Sequence, residues 1–247
     1  MNFEKLNICQ VTLSGNIKII KRNYLNFKQY YNNLQFFIIC PNVNLKQFKQ
    51  ELNLDNLQIY NEDEIIKFDR FKEIANSILK KTSYYEKIQD RLGWYYQQVL
   101  KLTFMYNFIK FNNQKLLIWD ADTIILKKIK FFENEKSLIY GTTSEFFKAY
   151  YATNKTILGE IPKYFVSSVC QFCAITPSDL KNLLSKLSNF KPLKKNIAEW
   201  FTCIIFEAII KTHKEYNGSL FSEYELIGHS KLLENRKPQI LISGIRE

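Results

Sequence analysis

Two aspartates separated by one small residue, Asp120 and Asp122, are the side chains whose type and spacing best suit chemistry. They directly follow the apolar run 116–119, which predicts a strand, so they lie where the backbone leaves a sheet and would share one face of the strand. Two such carboxylates suit a hard divalent cation, Mg²⁺ or Mn²⁺, which keeps open positions for water and for diphosphate oxygens. The metal would stabilise a nucleoside diphosphate as it leaves an anomeric carbon.

An isolated Asp-x-Asp pair has a plainer interpretation as a solvated acidic turn. The preceding strand and the following Thr123 favour a metal site over that alternative. The elements that position the pair therefore decide what it can do.

The first part of the chain alternates strand and helix patterns, which predicts a mostly parallel central sheet flanked by helices. Open sheets of this α/β type bind ligands at the carboxyl ends of their strands. The length of 247 residues favours a single domain. The predicted elements are strands at 6–13, 34–40 and 57–60, and helices at 17–31 and 45–52.

The remaining segments are predicted less regularly. Residues 64–90 are expected to form helices and loops at the rim of the sheet, and 94–111 a largely buried helix. The strand at 116–119 is expected to resume briefly at 124–126. Later patterns predict strands at 137–142 and 165–176, helices from Pro177 and near Asn196, and a tail from residue 235 that either straps across the body or frays.

The net charge of +11 at pH 7 indicates an anionic partner: nucleic acid, an anionic membrane surface or phosphorylated small molecules. No signal peptide or membrane-spanning stretch is apparent, and five irregularly spaced cysteines suggest reduced thiols in a cytoplasmic protein. Cys170 and Cys173 have the spacing of half a zinc site, but no second pair accompanies them. They are therefore interpreted as core residues.

Three blocks, at 91–102, 117–123 and 221–228, together resemble a bacterial family of poorly characterised glycosyltransferases. Its marks are a Gly-Trp-x-x-Gln-Gln helix, an Asp-x-Asp and a Phe-Ser-Glu-Tyr-Glu block. Such proteins are similar to the GT-A superfamily. The resemblance implies a GT-A-like Rossmannoid domain, a nucleotide-sugar donor, a divalent metal and work on surface glycans such as lipopolysaccharide or capsule.

The resemblance also implies roles at matching positions. Asp122 would bind the metal, and Asp120 the metal or the donor ribose, while a third ligand from His229 is left open. Glu223 and Glu225 would be base candidates, although glutamates at a helix start often only compensate its dipole. Residues implied to contact the donor are Thr12, Ser14, Arg91, Gln97 and Gln98.

The sequence thus predicts a hexosyltransferase-like enzyme that uses Mn²⁺ or Mg²⁺ and a UDP-sugar, with a glycan or lipid-linked acceptor. Residues 1–126 would form the nucleotide-sugar half and 127–247 the acceptor half of one cytoplasmic domain, which basic surface would help to hold peripherally at an anionic inner membrane. One rival is a nucleotidyltransferase of similar fold, for which the loop 14–18 has too few basic residues. The other is a basic nucleic-acid-binding module.

Overall fold

A five-stranded sheet forms the centre of a mixed α/β domain. The computed structural model describes residues 5–12, 14–142, 146–164, 166–216 and 218–241, with Ser14 described by its backbone alone. In spatial order the strands are β3 (Leu57–Asn61), β2 (Leu34–Cys40), β1 (Leu6–Val11), β4 (Leu116–Trp119) and β8 (Phe172–Ile175). The first four are parallel, and β8 runs antiparallel to β4. This confirms the predicted fold class.

Helices cover both faces of the sheet. One face packs against α1 (Ile17–Tyr30) and α2 (Leu45–Glu51), and the other packs against α5 (Leu92–Asn112). The helices α8 (Ile197–Thr212) and α9 (Glu223–Leu232) lie in the same core as α5. The remaining helices are α3 (Phe68–Leu79), α4 (Tyr85–Gln89), α6 (Lys148–Leu158) and α7 (Pro177–Phe190).

The strands are continuous apolar runs because both of their faces are covered. Every residue of β1, β2 and β4 is buried. Along β1 the side chains alternate, so that Ile8 enters the core under α1 whereas Cys9 and Val11 enter the core under α5. Because a hydrophobic core lies on each face of the sheet, these strands show no strict alternation of apolar and polar residues.

The chain after the aspartate pair is an extended strap and not the predicted continuation of a strand. Residues 120–122 turn away from the sheet, and the amide of Thr123 donates to the carbonyl of Asp120 over 3.1 Å. The strap carbonyls accept hydrogen bonds from side chains along one side of α1 and just beyond it, which replace the missing ladder. The donors are Asn23, Asn26, Tyr30 and Tyr31, and the acceptors are the carbonyls of residues 123, 125, 126 and 129.

The predicted strands at 137–142 and 165–176 are both interrupted. The first is divided between β6 (Lys136–Ser137), which pairs with β5 (Phe132–Glu133), and β7 (Tyr140–Gly141). In the second, only β8 is formed, because Gln171 has a left-handed backbone with φ of 65° directly before it. Cys173 is buried and Cys170 is half-buried, and both are free thiols.

The tail contributes β9 (Gln239–Ile240), which pairs with β7 in parallel. This short pairing agrees with the prediction that the tail from residue 235 crosses the body of the domain. Among the residues that the structure describes, no helix has the length and apolar character needed to span a bilayer.

Candidate active site at the carboxyl edge of the sheet

The order of the strands reverses between β1 and β4. After β1 the chain moves through α1 to β2 and β3 on one side, and it then returns to add β4 on the other side. The carboxyl ends of β1 and β4 therefore lie side by side at this reversal, which is the position at which α/β proteins generally bind ligands. Thr12 follows β1 at this edge, and Asp120 follows β4.

Asp120 is held from one side only. Its Oδ1 accepts hydrogen bonds from Lys101 Nζ at 2.6 Å and from the Tyr224 hydroxyl at 2.5 Å, and its amide donates to the Gln171 carbonyl at 2.9 Å. Its Oδ2 has no hydrogen-bond donor among the described residues. The carboxylate is thus oriented with one oxygen inward and one oxygen available to a ligand.

Lys101 connects this aspartate to α9. The lysine is only 3% exposed, and its Nζ also contacts Glu223 Oε1 at 2.7 Å. Burial opposes the charge of Lys101, but Glu223 and Asp120 outweigh it and raise its pKa above the ordinary value. Burial likewise raises the pKa of the Glu223 carboxyl, against the opposing effect of Lys101. The result is a buried cation that bridges two acidic side chains.

Asp122 has the opposite environment. It is exposed, and it makes no hydrogen bond or ion pair with any described residue. A free carboxylate next to a half-held one provides two groups of oxygen donors at the carboxyl edge of the sheet. We call Asp120 and Asp122 the aspartate site.

The amino-terminal half of α5 passes along the same edge. The half-buried Gln97 donates from Nε2 to the Val11 carbonyl at 3.4 Å, so it lies at the end of β1. Arg91 precedes the helix, about 9 Å beyond Gln97 along its axis, and is exposed. Burial raises the pKa of the Tyr150 and Tyr216 hydroxyls, and the positive charge of Arg91 opposes that rise.

Residues 14–234 match the sequence family described as "Family of unknown function (DUF6492)". The chain belongs to this family. Among solved structures, the chain is similar to the PaToxG glycosyltransferase, with 12% sequence identity and a TM-score of 0.37 over 84% of this chain and 69% of that one. A likeness this distant leaves the activity to be argued from the site. No match was found among curated protein sequences.

Two of the predicted site residues of this DUF6492 chain lie in the core. Glu225 and His229 are one turn apart on α9, as expected, but both side chains are fully buried. Glu225 Oε2 accepts the Ser168 amide at 3.0 Å and lies 3.2 Å from His229 Nε2, and His229 Nδ1 contacts Asn154 Nδ2 at 3.1 Å. Among the described residues no three His, Cys, Asp or Glu side chains are grouped to hold a metal, so the structure does not bring His229 to the aspartate site.

Gln98 also differs from its expected role. It is 1% exposed, and its Oε1 accepts the amide of Glu223 at 3.0 Å, so it fixes the first turn of α9 instead of facing a ligand. Glu223 itself is 2% exposed and faces Lys101, which favours a positioning role over proton transfer to a solvent-borne acceptor. Thr12 is buried at the end of β1, and the side chain of Ser14 lies outside the described residues.

The contacts of Lys101 and Tyr224 with Asp120 in this DUF6492 chain were not predicted from the sequence. Lys101 is the one charged residue between Arg91 and Lys110 in an otherwise apolar and polar helix, which is a usable signal for a buried ion pair. Tyr224 carried no such signal, because its contact with Asp120 joins residues 104 positions apart.

Proposed function

We propose that this chain is a metal-dependent glycosyltransferase. In this proposal it moves a sugar from a nucleoside diphosphate donor, with uridine favoured as the base, to a bacterial surface-glycan or lipid-linked acceptor. One observation carries the proposal: a free carboxylate and a half-held carboxylate lie together at the strand-order reversal of a mostly parallel sheet. That position is where folds of this kind receive nucleotides.

The donor set fits a hard divalent cation. Asp122 and the Oδ2 of Asp120 are oxygen ligands without competing partners among the described residues. Mg²⁺ and Mn²⁺ commonly take one or two carboxylates and complete their shell with water and substrate phosphates, so a third protein ligand is unnecessary. When bound, the metal would supply stabilisation of the charge that develops on the departing diphosphate.

The protein's own residues then have distinct tasks. Lys101 and Tyr224 fix the direction of the Asp120 carboxylate, so that its free oxygen is preorganised. Lys101 also offsets part of the negative charge of Asp120 and Glu223. Gln97 offers an amide beside the end of β1 for a sugar or base. Arg91, exposed before the first turn of α5, would bind the donor phosphates.

The first experiment measures donor binding. Because a ligand that binds only the folded form raises the melting temperature, we expect UDP with Mn²⁺ to stabilise the protein more than UDP alone, Mn²⁺ alone, or GDP or CMP with Mn²⁺. Asp122→Asn should abolish the metal-dependent increment. Asp69→Asn, which removes one exposed carboxylate from α3, is the matched control and should retain it.

The second experiment measures chemistry. We expect Mn²⁺-dependent release of UDP from UDP-sugars, reduced at least about 100-fold in Asp122→Asn. Release of pyrophosphate from a nucleoside triphosphate and a sugar phosphate would instead identify a nucleotidyltransferase. Equal activity in Asp122→Asn and Asp69→Asn would refute the mechanism, and salt-sensitive RNA binding without any response to nucleotides and Mn²⁺ would refute the enzyme class.

A further inference from the structure

A cleft of about 490 Å³ opens at the amino edge of the sheet, on the opposite side from the aspartate site. Its walls include Leu6 at the start of β1, Tyr31 at the end of α1, Ile129 in the strap and Phe132 beyond the strap. The volume lies in the range of ordinary ligand sites, and the walls are mainly apolar. We call it the basic cleft because lysines form its rim.

The rim carries unpaired positive charge. Lys5 and Lys128 line the basic cleft, and Lys127 is the neighbouring residue; all three are exposed and none makes a hydrogen bond or ion pair with a described residue. Lys130 also lines the cleft but pairs with Glu133 at 2.5 Å. Since Glu133 is the one acidic residue among 123–133, the rim is strongly cationic. Its occupant should carry an anionic group.

The aromatic rings of the basic cleft are already engaged. Tyr31 lies on Phe131 with ring centroids 5.9 Å apart, and its hydroxyl donates to the Ile129 carbonyl. Lys115 Nζ lies 5.7 Å from the centroid of the Phe132 ring. Binding of single-stranded nucleic acid usually requires ring faces on which bases stack. An apolar floor below a cationic rim suits an amphiphile, which carries an anionic headgroup and an apolar chain together.

An exposed leucine adjoins the same rim. Leu126 is 77% exposed, directly before Lys127 and Lys128, and its backbone is fixed by the hydrogen bond from Tyr30 to its carbonyl. Peripheral proteins commonly bind the interface of a membrane through an exposed apolar side chain that lies beside lysines.

We propose that the basic cleft docks the protein on membranes that contain anionic phospholipid. The lysines contact the headgroups, and Leu126 and the apolar floor contact the acyl boundary. The proposal is independent of the proposed enzymatic function. It places the aspartate site away from the lipid, about one strand length or 20 Å above the surface, so a substrate of that site must extend from the membrane.

Sedimentation with vesicles tests the docking. We expect the protein to bind vesicles of phosphatidylcholine with one-third phosphatidylglycerol and not vesicles of phosphatidylcholine alone. Each lysine at such a surface contributes about fivefold to binding, so Lys5→Glu/Lys128→Glu should weaken it at least about 25-fold. The matched control, Lys80→Glu/Lys81→Glu, makes the same change of charge at exposed lysines that line no part of the cleft.

Each result of these measurements either supports or overturns the docking proposal. Selective loss in the cleft variant, with an unchanged melting temperature, supports the proposal, and Leu126→Ser should then reduce the binding that survives in high salt. Equal loss in both double variants shows diffuse attraction by net charge and overturns it. Failure to bind anionic vesicles overturns it as well, and so does binding of single-stranded RNA in place of vesicles.

Discussion

Lys101 carries an ammonium group that is buried beneath the aspartate site. The charge is stable there because Asp120 and Glu223 both pair with it. Removing a buried cation leaves its carboxylate partners uncompensated, which costs more than the pair contributed. The same lysine fixes the direction of Asp120. Stability and site geometry therefore depend on one side chain.

Lys101→Met should lower the free energy of unfolding by about 3–5 kcal/mol. Adding Glu223→Gln should recover part of that loss, because one buried charge is then removed. Urea unfolding measures both, and Lys110→Met on the exposed part of α5 should change stability by less than about 0.5 kcal/mol. If Lys101→Met were as stable as the wild type, the buried ion pairs of Lys101 with Asp120 and Glu223 would be contradicted.

Gln10 presents the reverse case of a polar residue without partners. It is fully buried in β1, and neither polar atom of its side-chain amide has a hydrogen-bond partner among the residues that the structure describes. Because an unsatisfied buried group costs about 1–3 kcal/mol, Gln10→Met should raise the free energy of unfolding by about 1 kcal/mol. Gln35 on β2 donates to the Asn56 carbonyl at 2.9 Å, so Gln35→Met should instead destabilise. Destabilisation of similar size by both substitutions would show that Gln10 is hydrogen-bonded after all.

Glu62 provides a pH-dependent effect. Burial, followed by the charge of Asp63, raises its pKa to about 6. A carboxyl with a raised pKa in the folded state binds its proton more tightly there, so its contribution to stability falls as the pH rises from about 4.5 to 6. Glu62→Gln should therefore match the wild type near pH 4 and exceed it above pH 6, by about 1 kcal/mol or less after solvent screening. Chemical denaturation across that range measures the difference, and a constant difference would exclude Glu62 as its source.

Among the elements, α9 is unusual because all ten of its residues are buried although five of them are ionisable. Its position depends on close contact with the loop before β8. A Cβ built on Gly228 would overlap the Oγ and Cβ of Ser168. The glycine is therefore required by packing, since its backbone is helical.

Gly228→Ala should destabilise the protein by several kcal/mol or displace α9, because overpacking of a core forces backbone shifts. Ser168→Gly in the same chain removes both clashing atoms and should restore much of the loss. Gly93→Ala is the control: a Cβ at Gly93 meets nothing within 4 Å, and the change should stabilise α5 by about 0.5–1 kcal/mol. Thermal unfolding of the four proteins measures these effects, and equal responses at the two glycines would rule out the steric explanation.

Elements with a strong local signal were predictable, and elements defined by distant partners were not. The first three strands and the helix α5 follow from apolar runs, and the start of α7 follows from Pro177 in its first turn. The strap after the aspartate site was taken for a strand, because its hydrogen bonds come from α1, about a hundred positions earlier, as in the bond from Asn23 to Thr123. The residues of the strap itself do not indicate partners so far away in the sequence.

At the scale of the whole molecule, the sequence predicted the sheet, its flanking helices and the edge at which the aspartates lie. It also predicted the side-by-side placement of Glu225 and His229 on one helix. It did not predict their burial, because a helix bearing five ionisable residues resembles a surface helix until its packing is known. The predicted metal, donor and acceptor stay predictions, to be decided by the experiments above.

The sheet also joins the two halves of the chain. β4 from the first half is covered on its outer edge by β8 from the second, and Asp120 receives Tyr224 from α9, 104 positions later. β8 begins 53 positions after the end of β4, which at a ribosomal rate of about 5–20 residues per second corresponds to roughly 3–11 s of synthesis. During that interval the nascent chain has a bare strand edge, which gives a ribosome-associated chaperone ample time to bind.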